Sequence, residues 1–446
     1  MTCSLAPEIF STKPVFSTMW YQQVFALDAK YNTQRTARSP LLGMLYIRRR
    51  NQLLKEKFSK ESKVREQYLK LRMKLLLLRY GDPADQNTSS IYGSEDEKLN
   101  IKTKPDNIQR QSIAENFAFA GVHHIFDQHD ASVTMIKFAN NDKSKLCCAS
   151  SDGLLSICEA ISVPPKVVAF LEGHNKCVTS LDWSISNDLI VSSSIDATIR
   201  LWKVSIDSNP VCLRIVSDRQ QAPVLSCAFI PVNNNLVVTG NSHGMIQILN
   251  ISTGIYTRDG SCKMGGKILS ITCEGSGGSI IWAGNDKGII VSFQFELGSG
   301  RLIKLQRVQE ITGIITSLTW RSWHSKAAPC PVLLVSSGCN LVLLYRIVNH
   351  QGCLALWRKY PVKHRHHHIR STFCPQMGAC LIATGSEDGV IHLLDSAKGG
   401  KAAEVNKLHG HASPVLALAF NYDESLLASA DHQGLIILWR NHQQHI

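Results

Sequence analysis

Two stretches of the chain repeat one pattern of residues, and this repetition constrains the fold more than any other feature. Residues 171–204 and 408–441 align without gaps over their motif positions. Each stretch begins near Gly-His, continues through two β-rich runs and a tight turn, and has a third run that contains Leu-Trp. Repetition of a unit of this size is typical of folds in which copies of one small motif pack side by side.

The tight turn between the second and third runs recurs along the C-terminal three quarters of the chain. Successive turns are 44, 47, 44, 52, 49 and 45 residues apart, and they lie at Asp152, Asp196, His243, Lys287, Cys339, Asp388 and Gln433. Short β-rich runs flank each turn, and no long helical period interrupts them from about residue 115 onward. This pattern predicts an all-β domain made of seven units.

The two clear copies resemble WD repeats, which have about 40–45 residues, four strands per blade, and a Gly-His and Trp-Asp signature. The resemblance implies a seven-bladed WD-repeat β-propeller over residues 115–446. It also implies a structural hydrogen-bonded network in each blade, formed by a His, a Ser or Thr, an Asp and a Trp. The matching residues are His174, Ser192, Asp196 and Trp202 in one copy, and His411, Ser429 and Trp439 in the last.

The last copy departs from this pattern, because Gln433 stands where the Asp is expected. Its network is therefore altered unless Asp431, two residues earlier, takes the role. The final copy also lacks an outermost strand. Residues 116–129 are apolar enough to supply that strand and close the ring, which removes the exposed strand edges that promote aggregation.

The N-terminal region differs from the repeats in composition. Residues 1–19 are predicted to be a flexible lead, residues 20–81 a basic and largely helical arm, and residues 82–114 a disordered linker. Residues 42–80 contain twelve Lys and Arg against three Glu, a net charge of 12 − 3 = +9 within a chain of +13. The stripe Val64, Tyr68, Leu71, Leu75 and Leu78 needs a partner, which is the propeller, a second copy or another protein.

The arm carries a candidate basic contact or nuclear import segment. It consists of Arg48, Arg49, Arg50, Lys55 and Lys57. Such a segment attracts nucleic acid or acidic protein surfaces, or it is simply an exposed turn of helix. Few aromatic residues lie between the charges, which argues against a surface that stacks on bases.

The chain shows no pattern typical of an enzyme, a cofactor site or a metal site. It has no G-x-S-x-G, H-E-x-x-H or Walker A motif. The run of residues 364–368, HRHHH, has poor spacing for metal ligands and fits a loop between blades. A hydrolytic triad of His174, Ser192 and Asp196 is disfavoured, because part of this set recurs as His411 and Ser429. We therefore expect no catalytic residue, no cofactor and no metal.

These features predict an interaction scaffold whose propeller loops bind proteins or peptides, with the arm as a second contact. No apolar run is long enough to span a membrane, and 14 cysteines without a disulfide pattern favour a reducing compartment. Short motifs such as WYQQVFALDAKYN resemble one WD-repeat subfamily regarded as nuclear, so the expected location is the nucleus and also the cytoplasm. The oligomeric state is left open.

Two alternatives remain at this stage. The first is a chromatin or nucleic-acid-associated factor held by the basic arm. The second is a ubiquitin-ligase substrate receptor, a role in which WD propellers commonly carry Trp-Asp-x-Arg at a repeat end. Here the two repeat ends read Trp-Lys-Val-Ser from Trp202 and Trp-Arg-Asn-His from Trp439, which disfavours the second alternative.

Overall fold

The computed structural model describes residues 119–441, apart from 205–208, 232, 276–278, 322–330, 350 and 375–380. Within these residues the chain forms strands almost throughout, with one short 3-10 helix, Gly400–Ala403. The predicted lead, arm and linker lie outside the described residues, and so do the five basic residues of the candidate contact or import segment.

The described strands form seven antiparallel sheets of four strands, each of which is one blade. Blades 1 and 2 consist of β2 (Val133–Phe138), β3 (Lys145–Ser150), β4 (Leu155–Glu159) and β5 (Lys166–Leu171), then β6 (Val178–Trp183), β7 (Leu189–Ser194), β8 (Thr198–Lys203) and β9 (Val211–Ser217). Blades 3 and 4 consist of β10 (Val224–Ile230), β11 (Asn233–Asn241), β12 (Met245–Asn250) and β13 (Ile255–Lys263), then β14 (Ile268–Cys273), β15 (Ile280–Asn285), β16 (Ile290–Glu296) and β17 (Arg301–Val308).

The remaining blades follow the same order along the chain. Blades 5 and 6 consist of β18 (Ile315–Arg321), β19 (Val332–Ser337), β20 (Leu341–Ile347) and β21 (Leu354–Pro361), then β22 (Ser371–Phe373), β23 (Leu381–Thr384), β24 (Val390–Asp395) and β25 (Glu404–His409). Blade 7 consists of β26 (Val415–Phe420), β27 (Leu426–Asp431), β28 (Ile436–Asn441) and the N-terminal β1 (Phe119–Phe126).

The blades form a closed ring. The first strand of each blade contacts the first strand of the next, in the order β2, β6, β10, β14, β18, β22, β26 and back to β2. These seven strands are the innermost ones and surround a central channel. The predicted seven-bladed β-propeller is therefore confirmed, and all seven predicted turns connect the second strand of a blade to its third.

The ring is closed by a strand from the other end of the described chain, as the sequence predicts. Strand β1 pairs antiparallel with β28, and Phe126 lies opposite Ile436. Phe126 is 4% exposed and packs in a cluster that joins blade 7 to blade 1, together with Ala428, Leu438 and Val133. Burying both the edge of β28 and this apolar cluster stabilises the closed ring.

The cores of the propeller lie between neighbouring blades. Strands β15 (IIWAGN) and β26 (VLALAF) are buried at every position, because both faces of a blade pack against adjacent blades. Such strands read as continuous apolar runs, without the alternation of a half-exposed sheet. Outermost strands such as β9 are largely exposed. No helix in the described part of the chain has the length and apolarity needed to cross a bilayer.

Candidate interaction face

One end of every blade carries both the loop before the innermost strand and the tight turn between the second and third strands. In blade 1 the Ser151 amide donates to the Ser132 carbonyl at 2.9 Å, and in blade 2 the Ile195 amide donates to the Cys177 carbonyl at 3.0 Å. Equivalent loop-to-turn bonds occur in blades 3, 4, 5 and 7. We call the surface formed by these loops and turns the turn face.

In blade 2 the structure brings together the four predicted network residues. The Trp202 indole donates from Nε1 to Ser192 Oγ at 2.8 Å, and Ser192 Oγ lies 2.8 Å from His174 Nε2. His174 Nδ1 lies 2.9 Å from Asp196 Oδ2. A carboxylate only accepts, so Nδ1 carries the proton, Nε2 accepts from the serine hydroxyl, and the chain of donation runs from Trp202 to Asp196.

The electrostatics of this network match a neutral histidine beside an ionised aspartate. Burial lowers the pKa of His174 and outweighs the opposing effect of Asp196. Burial alone would raise the pKa of Asp196, but hydrogen bonds from Thr198 and His174 outweigh it and lower the pKa to about 2. The network is thus fully satisfied at neutral pH, the condition under which a buried polar network stabilises a fold.

Blade 7 contains an equivalent network, and its acid is Asp431. His411 Nδ1 lies 3.1 Å from Asp431 Oδ2, His411 Nε2 lies 2.6 Å from Ser429 Oγ, and the Trp439 indole donates to Ser429 at 2.8 Å. Asp431 Oδ1 also accepts the amides of Gln433 and Leu435 at 2.9 and 3.0 Å. The residue two positions earlier therefore replaces the missing acid at Gln433.

The strand-end position explains this replacement. Asp431 is the last residue of the second strand in its blade, as are Asn241 in blade 3 and Asn285 in blade 4. Asn241 Oδ1 accepts two amides of its turn, and Asn285 Oδ1 does the same. A side chain with a carbonyl or carboxyl oxygen at this position can thus cap the turn, and in blade 7 its second oxygen also reaches the histidine.

Blade 1 contains a third variant of the network, which the sequence did not reveal. His129 Nδ1 lies 3.0 Å from Asp152 Oδ2, and His129 Nε2 lies 2.8 Å from Ser156 Oγ. The residue equivalent to Ser192 is Cys148, and Ser156 lies directly opposite Cys148 on the neighbouring strand. The hydroxyl is therefore supplied by the third strand. A search for a serine opposite an altered position could have found it.

The geometry of the His-Ser-Asp groups indicates a structural role for them. Ser192 is fully buried, and its oxygen already accepts the Trp202 indole. A serine nucleophile must be accessible to the group that it attacks. The recurrence of the His-Ser-Asp group in blades 1 and 7 further indicates a role in holding each blade together.

The histidine-rich loop before blade 6 is ordered by one carboxylate. Glu387 Oε1 accepts the amides of Arg365 and His367 at 2.9 and 3.0 Å, and also that of His366. His364 is buried, its Nε2 lies 2.9 Å from the His367 carbonyl, and burial lowers its pKa to about 4. Across the described residues, no three His, Cys, Asp or Glu side chains come together to hold a metal.

A central cavity of about 450 Å³ lies inside the ring. All seven innermost strands line it, and among its lining residues are Lys137, Asp182, Cys227 and Arg370. A concave site framed by rigid strands and bordered by loops is the kind of surface that proteins use for binding.

Comparison with known proteins identifies the family to which two of the repeats belong. The family model of the WD domain, G-beta repeat, matches residues 165–203 and 403–440. The chain carries WD repeats. The first matched segment begins at the end of blade 1 and covers three strands of blade 2, so these WD repeats are offset from the blades by one strand. This offset is the reason why β1 completes blade 7.

Several WD-repeat relatives match at low identity. WD repeat-containing protein SL1-17 of Schistosoma mansoni is 28% identical over 160 residues, which are 36% of this chain and 51% of that protein. The WD repeat-containing protein WDS homolog of Arabidopsis thaliana is 24% identical over 313 residues, 63% and 59% of the two chains. Jouberin of Mus musculus is 25% identical over 338 residues, 72% and 30%. The matches thus span 30% to 59% of these relatives' lengths.

Proposed function

We propose that this protein is a non-catalytic interaction scaffold, or adaptor, whose turn face binds protein partners. The observation that carries this proposal is the rigid turn face itself. Hydrogen-bonded networks in blades 1, 2 and 7 fix its loops. WD-repeat propellers generally act as protein-interaction scaffolds, and the charged and polar residues at these loops suit a protein surface.

The second part of the proposal concerns the cellular location of the protein and the complexes in which it acts. It starts from segments such as YIRRRNQLL and NDLIVSSSIDATIRLW, which we infer to be similar to those of WD repeat-containing protein 13, a subfamily regarded as nuclear. We therefore place the protein in nuclear regulatory complexes, with a further presence in the cytoplasm. The basic arm, with its net charge of +9 over residues 42–80, would give a second contact. Two contacts on one chain raise the effective concentration of one partner near the other.

The second candidate function rests on the same charge. A chromatin or nucleic-acid-associated factor held by residues 42–80 would contact phosphates through Lys and Arg. Its retention on DNA or RNA should fall steeply as salt rises. If deletion of residues 42–80 leaves this retention unchanged, the second candidate function is wrong.

The scaffold proposal is tested by proximity labelling in cells, with variants that separate the turn face from the arm. Lys176 and Lys287 are exposed on the turn face, and Lys176→Ala with Lys287→Ala removes two charges there. Arg301→Ala with Lys304→Ala removes two exposed charges from the outermost strand β17 and is the matched control. The third variant lacks residues 42–80.

The proposal predicts that the turn-face variant loses specific labelled proteins that the control variant retains. If only the variant without residues 42–80 loses the labelled proteins, and loses all of them, binding would be assigned to the arm. Identical sets for all variants would contradict a binding role for the altered part of the turn face.

A further inference from the structure

Arg370 occupies a position at which the other blades carry uncharged residues. It is the second residue of the innermost segment of blade 6, next to Ser371, which pairs with Thr384. In every other blade this position lies at an irregularity in the pairing of the first two strands. The equivalent residues of blades 1 to 5 and blade 7 are Thr134, Thr179, Leu225, Leu269, Thr316 and Leu416.

The Arg370 side chain crosses the channel. Its backbone amide donates to the Leu416 carbonyl of blade 7 at 2.8 Å. Its Nε donates to the Thr134 carbonyl of blade 1 at 3.1 Å, and a terminal nitrogen donates to the Thr179 carbonyl of blade 2 at 3.0 Å. The guanidinium is thus fixed between blades that lie two and three places further around the ring, and it lines the central cavity.

The guanidinium has donors to spare, and no acid pairs with it in the part of the chain that the structure describes. A guanidinium carries five N–H donors, and the two side-chain bonds use two of them. Within the described part of the chain, no carboxylate forms an ion pair with Arg370. Burial lowers the pKa of Arg370 to about 10, still well above neutral, so the group is a partly buried cation in the channel. A bound anion would offset this unfavourable desolvation.

The end of the channel on the turn face, which we call the channel mouth or rim, carries further basic residues near Arg370. Lys267 and His368 both immediately precede the innermost segments of their blades and are exposed. The pKa of His368 is lowered first by desolvation and then by repulsion from Arg370, so His368 is neutral at pH 7 and Lys267 is the charged residue of the two.

Two acids near Lys267 and the histidine-rich loop, Asp286 and Glu387, accept backbone amides. Asp286 Oδ1 accepts the Lys267 amide at 3.0 Å, and Glu387 Oε1 accepts the amides of the histidine-rich loop. Neither acid forms an ion pair with Lys267 or Arg370 among the described residues. The mouth of the channel thus presents its basic groups to an incoming ligand.

We propose that the channel mouth binds the carboxylate of an Asp or Glu side chain presented by a protein partner. This inference rests on the proposed function and specifies the chemistry of the partner. A carboxylate is planar and can accept two parallel N–H bonds from a guanidinium, so it fits the spare donors of Arg370.

The test is selection of peptides from a random displayed library on the full-length protein, followed by measurement of affinity by fluorescence anisotropy. The best peptide is then made with its acidic residue intact, replaced by Gln, and replaced by phosphoserine. The protein variants are Arg370→Met, Lys267→Gln and the matched control Arg301→Gln, which removes an exposed charge from β17. Lys267→Gln keeps the test valid if Arg370→Met fails to fold.

We expect the selected peptides to share an acidic residue. We expect Gln in the peptide, or Met at position 370, to weaken binding by about tenfold or more, and Arg301→Gln to leave it unchanged. Lys267→Gln should weaken binding less, because exposed charge pairs contribute little.

Three results would overturn the inference: selection of no peptide, binding that is equal for wild type and both mouth variants, or binding that requires phosphoserine. The proposed function is tested separately by proximity labelling. Loss of labelled proteins in the turn-face variant, together with peptides that lack an acid, would reject the carboxylate and retain the scaffold.

Discussion

The substitution Asp431→Ala tests whether Asp431 holds blade 7 together in place of the residue at the expected position, Gln433. Asp431 is 2% exposed and accepts three donors, which are His411 Nδ1–H and the amides of Gln433 and Leu435. Alanine would leave all three without an acceptor. Each buried donor left unpaired costs about 1–3 kcal/mol, so we expect the three together to lower the free energy of unfolding by at least about 3 kcal/mol.

The matched control is Gln433→Ala in the same turn. The Gln433 amide still donates to Asp431 in this variant, and its side chain is only partly buried. We expect a change within about 1 kcal/mol, the usual range for substitutions away from the core.

Urea denaturation, followed by circular dichroism and tryptophan fluorescence, measures both variants against the wild type. The reasoning predicts a large shift in midpoint for Asp431→Ala and a small one for Gln433→Ala. Equal shifts, or a larger shift for Gln433→Ala, would refute the assignment of Asp431 as the acid of this network.

Three further predictions follow from the same contacts. Asp196→Asn should cost about 2 kcal/mol at neutral pH, because the pKa of Asp196 is lowered from 3.8 to about 2. Since a lowered carboxyl pKa stabilises the fold above the unfolded value, the difference between Asp196→Asn and wild type should shrink as pH falls from about 4 to 2 in acid-denaturation curves. Phe126→Ala should cost about 3–5 kcal/mol in urea denaturation, because it opens a cavity where β1 closes the ring. Burial raises the pKa of Cys227 to about 12, so iodoacetamide should modify Cys227 in the native protein far more slowly than the partly exposed Cys353, as mass spectrometry would measure.

The fold could be predicted from the sequence because the repeat carries it. Seven similarly spaced turns and an apolar segment before the first repeat are enough to specify seven blades and the strand that closes them. The network residues of blade 2 follow from motif positions, and the structure joins His174, Ser192, Asp196 and Trp202 through three contacts.

The departures from prediction are local. Asp431 and Gln433 are two residues apart, and which of them reaches His411 depends on the backbone of the turn. In blade 1 the hydroxyl moves to the opposite strand, from the position of Cys148 to Ser156, and only the strand register reveals that exchange.

Arg370 shows a different limit of sequence-based prediction. Its neighbours in sequence are the histidine-rich loop and β22, whereas its side-chain partners are Thr134 and Thr179, more than 190 residues earlier in the chain. Contacts across the channel depend on ring closure, so a single repeat carries no signal for them. The predicted arm lies outside the described residues and stays a prediction.

The central claim, that the turn face binds protein partners, is tested most directly by hydrogen–deuterium exchange of the full chain with a partner identified by proximity labelling. The account predicts that the partner slows exchange in the turns at residues 241–245 and 285–289 and in the histidine-rich loop, while the outermost strands β9 and β17 stay unchanged. Slower exchange in β9 and β17, with unchanged turns, would contradict it.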